Sequence, residues 1–140
     1  MAVDRRSSFE IIQLLLPDII ERQWGRVVTI GSVQQYRTSP SLMPYGASKA
    51  AQEHLTRNFA RQLSHTGVTF NNVSPGLIDT DRTSEAVNNP DVIKTWLDRI
   101  PARRVGLPID CVGPVLMLCS NAGAYVTGID LPVDGGLRLP

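Results

Sequence analysis

The sequence predicts an α/β protein built on half of a doubly wound parallel sheet with helices on both faces. Helical and strand patterns alternate along the chain, and helix-length segments separate three short strand-like runs. Strands joined through helices pair in parallel with right-handed connections. The chain has 140 residues, which suits one domain. Because three strands leave one flank of such a sheet unfinished, we expect residues 1–140 to form a single partial domain.

The first predicted elements are a helix and a short strand. Apolar residues recur at helical spacing from Ser7 to Arg22, and Gly25 ends that helix. The run from Arg26 to Ile30 is mostly β-branched, which is typical of a strand buried on both faces of a parallel sheet. We expect this strand to form an unprotected edge of the sheet.

The remaining predicted elements continue this alternation, and proline or glycine marks several of their ends. The order is therefore α-β-α-β, an insertion, and then α-β. In chain order these elements are a loop from Ser32 to Pro44, a helix from Pro44 to His65, a strand from Val68 to Val73 that Ser74, Pro75 and Gly76 stop, a polar region from Thr80 to Arg99 with one or two short helices, a helix from Pro108 to Leu118, and a strand from Ile129 to Val133.

Composition and charge exclude several classes of function. Lys+Arg number 14 and Asp+Glu 13, so the chain has no charge excess for nucleic acid or a membrane surface. The chain contains no apolar run of about 18 residues and begins without the apolar core of a signal peptide. Cys111 and Cys119 have no partner at metal-ligand spacing. We expect buried thiols, no metal site and a cytoplasmic location.

Tyr45 and Lys49 form the first candidate catalytic pair. They are four residues apart within the second predicted helix, so both side chains lie on one face. A free phenol has a pKa of about 10, and a neighbouring cation favours its phenolate form. The alternative is that an ordinary helix surface carries both residues by chance.

Polar residues at two strand ends strengthen this interpretation. Ser32 follows the first strand through Gly31, and the segment from Pro75 to Thr80 follows the second. In open α/β sheets, ligands bind at the carboxyl ends of the strands. We therefore expect the Ser32 hydroxyl and the turn at Pro75 to meet the helix that carries Tyr45 in one crevice.

Together these motifs resemble the short-chain dehydrogenase/reductase family. The resemblance covers nearly the whole chain and is limited to the C-terminal, catalytic half of the family's Rossmann-like fold, with the N-terminal cofactor half absent. The matching segments are Ile30-Gly31-Ser32, Tyr45-Gly46-Ala47-Ser48-Lys49, Asn71-Asn72-Val73-Ser74-Pro75-Gly76, Arg104-Val105-Gly106-Leu107-Pro108, Val126-Thr127-Gly128 and Val133-Asp134-Gly135-Gly136.

The resemblance implies an oxidoreductase that transfers hydride between NAD or NADP and the carbon of an alcohol, ketone or aldehyde. Tyr45 would exchange a proton with the substrate oxygen, and Ser32 would hydrogen-bond that oxygen. Lys49 would favour the phenolate and hold the nicotinamide ribose. The residues that the resemblance places in the cofactor site are Tyr45, Lys49, Pro75, Gly76, Ile78 and Thr80.

The sequence also departs from the family pattern. It lacks the glycine-rich turn and the residue that selects NAD or NADP. The family often has an asparagine in the helix before the serine strand, which completes a proton relay. Counting back from Gly25 places Asp4 there, where a carboxylate would hold a water but add negative charge.

Two interpretations of the chain follow. The first is the catalytic half of an oxidoreductase that is a homodimer or homotetramer in its full-length form and acts on a small-molecule alcohol or carbonyl compound. The second is an inactive, truncated remnant that serves as an oligomerisation or interaction module, since the helices from Ser7 to Arg22 and from Pro44 to His65 correspond to those that pair in the family's dimers. The coding DNA upstream of Met1 distinguishes them.

The substrate is left open by the sequence. In the family, specificity resides in the loop after Ser32 and in the segment after Thr80. These segments here present a mixed surface with no cluster of like charge. Small hydroxy or keto compounds, sugars and acyl thioesters all fit this description.

Overall fold

A computed structural model describes the backbone of residues 2–140 and the side chains of residues 7–140. It contains five α-helices and three strands within that range. Short 3₁₀ turns lie at Val33–Gln35, Pro40–Leu42, Ser64–Thr66 and Asn121–Gly123. The helices and strands are α1 (Ala2–Glu21), β1 (Gly25–Ile30), α2 (Met43–Leu63), β2 (Val68–Pro75), α3 (Ser84–Val87), α4 (Pro90–Arg99), α5 (Pro108–Cys119) and β3 (Asp130–Val133).

The three strands form one parallel sheet in the order β1-β2-β3. The register places Thr29 of β1 beside Asn72 of β2, and Asn72 beside Asp130 of β3. Parallel pairing follows from the helices that separate the strands, because a crossover must return the chain to the same end of the sheet. The predicted α/β class is therefore confirmed, with β2 central and β1 at an edge of this sheet.

Two apolar clusters hold the helices against the sheet. Helices α1 and α2 pack on one face through Ala60, Val68 and Phe70, with Phe59 stacked on Phe70 at a ring-centroid distance of 5.6 Å. Helix α5 contacts all three strands, and its Leu118 is fully buried. A second cluster lies beneath α4 and consists of Val33, Ile100 and Leu137, with Leu77 and Trp96 packed against it.

A row of buried polar side chains crosses the face of the sheet next to α2. The Thr29 hydroxyl lies 2.6 Å from Asn72 Oδ1 and 3.0 Å from the hydroxyl of Thr56 on α2. Asn72 Nδ2 donates to Asp130 Oδ1, which also accepts from Ser74 at 2.6 Å. Hydrogen bonds within the row offset much of the cost of burying these polar groups.

Two predicted boundaries move. Strand β2 continues beyond Val73 to Pro75, because Ser74 and Pro75 pair with β3. Proline is accepted at this end of the strand, since it needs no amide hydrogen there. Helix α2 ends at Leu63 and a 3₁₀ turn leads to Gly67, whose φ of 80° suits glycine. The predicted polar region holds both α3 and α4.

Two expectations about burial are corrected, and one predicted site residue lies outside the described side chains. Cys111 is half-buried and Cys119 is exposed, so neither is the fully buried thiol we expected. Strand β1 is not buried on both faces, and Ile30 at its end is 49% exposed. The side chain of Asp4 lies outside the described residues. Among the described residues, each of the five α-helices is too short or too polar to cross a bilayer.

Candidate active site

Ser32 caps the 3₁₀ turn that follows β1. Its backbone N–H donates to Gln35 Oε1 at 3.4 Å, and its hydroxyl oxygen accepts from the Gln34 N–H at 3.2 Å. The side chain is 8% exposed and lines an open cleft. A serine hydroxyl can donate while it accepts. This arrangement therefore leaves the hydroxyl proton available to an oxygen atom in the cleft.

Helix α2 approaches that turn closely because residue 46 is glycine. A Cβ atom on Gly46 would lie 2.7 Å from the carbonyl oxygen of Gln34, a distance that side chains do not tolerate. The missing side chain lets the first turn of α2 rest on the turn that holds Ser32. Tyr45, the preceding residue, thereby lines the same cleft as Ser32.

Lys49 lies between the end of β1 and the tyrosine ring. Its ammonium donates to the Ile30 carbonyl oxygen at 2.8 Å and to Gln52 Oε1 at 3.2 Å. The same nitrogen is 5.9 Å from the centroid of the Tyr45 ring. The predicted helical pair therefore faces one cleft. Gln52, which is 6% exposed, holds this ammonium from within α2, and the sequence pattern did not indicate that contact.

The segment after β2 forms the opposite wall. The Gly76 N–H donates to Val133 at 3.0 Å, and an isolated bridge joins Ile78 to Gly106. Several hydrogen bonds join Thr80 to Thr83, whose hydroxyl accepts from the Thr80 N–H at 3.0 Å. These bonds fix the backbone of the turn and hold the wall in place.

All described candidate residues line a single cleft of about 750 Å³ at the carboxyl ends of the strands. Asp4 is the exception, because its side chain is not described. No group of side chains suited to a metal ion occurs among residues 7–140. The predicted residues in the cleft are Ser32, Tyr45, Lys49, Pro75, Gly76, Ile78 and Thr80.

Two further cleft residues were missed by the sequence analysis. The Arg82 guanidinium carbon lies 4.9 Å from the centroid of the Tyr45 ring. Cys111 lies at the start of α5 and also lines the cleft, where burial raises the pKa of its thiol. Neither residue belongs to a spacing that predicts a site, and each reaches the cleft through long-range packing.

Comparison with known proteins identifies the family. The family model described as Enoyl-(Acyl carrier protein) reductase matches residues 1–138. The chain belongs to the short-chain dehydrogenase/reductase family of oxidoreductases, which confirms the resemblance seen in its motifs. The fold agrees, since this family has the same parallel sheet with helices on both sides.

Particular relatives show the extent of the match. The chain is 33% identical over 137 residues to the 3-oxoacyl-[acyl-carrier-protein] reductase of Aquifex aeolicus, covering 98% of the chain and 54% of the relative. It is 35% identical over 130 residues to the 7alpha-hydroxysteroid dehydrogenase of Escherichia coli, covering 93% of the chain and 51% of the relative. The structure of a gluconate 5-dehydrogenase from Burkholderia cenocepacia, in complex with NADP and tartrate, superposes with a TM-score of 0.96 at 30% identity.

The match covers only part of each relative. The superposition includes 100% of this chain but only 55% of the length of the Burkholderia structure. The chain therefore spans about half the length of the relatives it matches.

Proposed function

We propose that this chain is the catalytic half of an NAD(P)(H)-dependent oxidoreductase that interconverts an alcohol and a ketone or aldehyde. The observation that carries the proposal is the convergence of Ser32, Tyr45 and Lys49 on one cleft at the carboxyl ends of the strands. Two separate segments deliver these groups, the turn after β1 and helix α2, so the meeting of Ser32 with the Tyr45–Lys49 pair is a property of the fold and not of local sequence.

In this proposal each side chain has a separate task. The Tyr45 phenol gives a proton to the substrate oxygen in reduction and takes it back in oxidation. The Ser32 hydroxyl donates to the same oxygen and stabilises its developing charge. The Lys49 ammonium, 5.9 Å from the centroid of the Tyr45 ring, lies beside the proposed proton donor and binds the nicotinamide ribose. The nicotinamide, when bound, supplies or accepts the hydride.

The cleft fits a nicotinamide and its ribose. An ammonium has three N–H donors, and Lys49 gives two of them to Ile30 and Gln52, so one remains for a ribose hydroxyl. Ile78 and Thr80 are the residues we assign to the carboxamide, with Pro75 and Gly76 as the adjoining wall. Solved relatives hold NADP in one case and NADH in another, and this chain is accordingly proposed to use either NAD or NADP.

The test is Tyr45→Phe in the complete protein that contains this chain. We expect turnover to fall by roughly 10²- to 10⁴-fold, because the phenylalanine ring has no proton to exchange. Cofactor affinity should change little, since the ring shape is retained. Tyr125→Phe is the matched control, because Tyr125 is fully exposed and outside the cleft. Wild-type turnover in Tyr45→Phe would refute the assignment.

The alternative, an inactive remnant that serves as an oligomerisation module, makes the opposite prediction. It predicts no turnover in the complete protein and unchanged association in Tyr45→Phe. Exposed apolar side chains on α1, including Ile11 at 56% and Leu14 at 79%, support pairing of this helix with a second copy. A homo-oligomeric form is compatible with either function, and the cytoplasmic location remains a prediction.

A further inference from the structure

Arg82 occupies a specific place in the cleft. It follows the turn after β2, and its guanidinium carbon lies 4.9 Å from the centroid of the Tyr45 ring. The Lys49 nitrogen lies 5.9 Å from the same centroid. Two cations therefore adjoin the ring that carries the proposed proton donor, and they come from different walls of the cleft.

The cleft contains no opposing charge among the residues that the structure describes. Lys49 and Arg82 are its charged lining residues, and no carboxylate joins them. Elsewhere in the described chain, Arg57, Arg103 and Arg104 each pair with a carboxylate, as Arg104 does with Asp110 at 2.7 Å. Within that part of the chain, Arg82 has the Tyr45 ring as its contact and forms no ion pair. Its guanidinium donors are therefore available to a ligand.

A cleft lined by one sign of charge concentrates ligands of the opposite sign. A single guanidinium has a planar fork of donors that matches a carboxylate through two parallel hydrogen bonds. Lys49 is already held by Ile30 and Gln52, so it adds to the positive potential but is less free to move to a ligand. The arrangement favours one planar anion beside the reacting group.

We propose that the substrate is a hydroxy acid or keto acid and that Arg82 binds its carboxylate. The proposal rests on the function proposed above and names the substrate class of that site. A carboxylate on Arg82 places the reacting carbon within a few bonds of the Tyr45 phenol.

The kinetic experiment compares acids with neutral alcohols of the same skeleton, such as D-gluconate with D-glucitol and lactate with propane-1,2-diol. The complete protein is assayed as wild type, Arg82→Gln and Arg61→Gln. Arg61 is an exposed arginine of α2 outside the cleft and serves as the matched control. We expect wild type to prefer the acids, and Arg82→Gln to lose roughly 10- to 100-fold in kcat/KM for acids through KM alone.

Four kinetic outcomes would overturn the proposal. The first is equal kcat/KM for acids and neutral alcohols in wild type. The second is an equal loss for both in Arg82→Gln, which would mean that Arg82 acts through Tyr45. The third is a raised KM for the cofactor without a change for the acid, which would assign the anion to the cofactor phosphates. The fourth is a preference for a sugar phosphate over the matched sugar acid, which would show that the anion bound by Arg82 is not a carboxylate.

A binding arm keeps this proposal separate from the proposed function. If no substrate turns over, the redox function fails, and NMR titration of the protein with D-gluconate and D-glucitol still tests Arg82. Shifts with gluconate alone, which Arg82→Gln abolishes and Arg61→Gln retains, would support the anion site. Identical responses to the two compounds, or no response to either, would refute it.

Discussion

The ammonium of Lys49 donates to the carbonyl oxygen of Ile30, the last residue of β1, at 2.8 Å. This bond joins α2 to the end of the edge strand at the point where the chain turns toward Ser32. Gln52 holds the same nitrogen from the helix side at 3.2 Å. A flexible side chain is thereby fixed before any ligand arrives, which lowers the entropic cost of using it in a site.

Replacing this lysine tests the double role proposed for it. In the complete protein, Lys49→Ala is expected to lower turnover by roughly 100-fold and to weaken cofactor binding by about tenfold or more, because one ammonium serves the phenol and the ribose. Steady-state kinetics and cofactor titration measure the two effects. Lys94→Ala, at an exposed position of α4, is the control. Unaltered cofactor affinity in Lys49→Ala would contradict the ribose assignment.

Gly46→Ala tests the close approach of α2 to the serine turn. Alanine favours a helix by about 1 kcal/mol over glycine. Overpacking costs about 1–3 kcal/mol, and the Gln34 carbonyl at 2.7 Å is backbone that cannot rotate away. We expect a net loss of up to about 2 kcal/mol in the free energy of unfolding, measured in urea.

Gly113→Ala is the matched control for this change. Gly113 lies inside α5, and a Cβ there would have no neighbour within 4 Å. It should stabilise the protein by up to about 1 kcal/mol. If Gly46→Ala and Gly113→Ala stabilised the protein equally, the Gln34 carbonyl must move to accommodate a Cβ atom at little cost.

The ion pair of Arg104 and Asp110 predicts acid sensitivity. Hydrogen bonds from Arg104 at 2.7 and 2.9 Å, and from the Leu107 N–H, lower the pKa of Asp110 to about 2. Because the folded-state pKa is depressed, the stabilisation is complete above the unfolded value of 3.8 and is lost as pH falls toward 2. Urea unfolding at pH 5, 3 and 2 should show a steeper loss of stability in wild type than in Asp110→Asn.

Asp98→Asn provides the comparison for that series. Asp98 pairs with Arg103 at 3.3 Å through side chains that are both 67% exposed. Solvent screens such a pair, so its removal should leave the slope of stability against pH nearly unchanged. Equal slopes in all three proteins would rule out a specific contribution from Asp110.

The two thiols should differ in reactivity. Cys119 is exposed, whereas Cys111 is half-buried and burial raises its pKa, so it carries less thiolate at neutral pH. We expect a thiol reagent at pH 8 to modify Cys119 at least about tenfold faster. Cys111→Ser and Cys119→Ser isolate each reaction. A ligand in the cleft should protect Cys111 only, since Cys119 does not line it.

The 140-residue polypeptide by itself is expected to bind NAD and NADP with a dissociation constant no tighter than about 1 mM, roughly −4 kcal/mol. The family holds the cofactor pyrophosphate at a glycine-rich helix N-terminus, which this sequence lacks. The residues described here would contact only the nicotinamide end. Calorimetric titration measures the affinity, and micromolar binding would show that these three strands form a cofactor site of their own.

The sequence predicted that certain residues share one cleft where simple rules apply. Tyr45 and Lys49 are separated by one helical turn, which places them on a common face. Ser32 and Pro75 follow predicted strands, and parallel strands bring their carboxyl ends to one edge. These relationships depend on local periodicity and on the order of elements, both of which are visible in the chain.

Other features depend on contacts between distant segments. Ser74 and Pro75 join β2 only because β3 pairs with them from more than fifty residues away. Arg82 meets Tyr45 through the path of a turn that no local pattern defines. The exposure of Cys119 was also missed, because α5 is apolar on several sides and only one side packs on the sheet.

The close approach of Gly46 to the Gln34 carbonyl oxygen fixes one wall of the cleft, whereas the opposite wall can change by mutation. It holds the seryl and tyrosyl groups at a fixed spacing through rigid backbone. The opposite wall, with Arg82 and the helices α3 and α4, belongs to an independent stretch of chain. Mutations there can change which ligands the cleft accepts without altering the spacing of Ser32 and Tyr45, the groups proposed to act on the substrate oxygen. A change of ligand specificity therefore requires substitutions only in the segment that contains Arg82, α3 and α4.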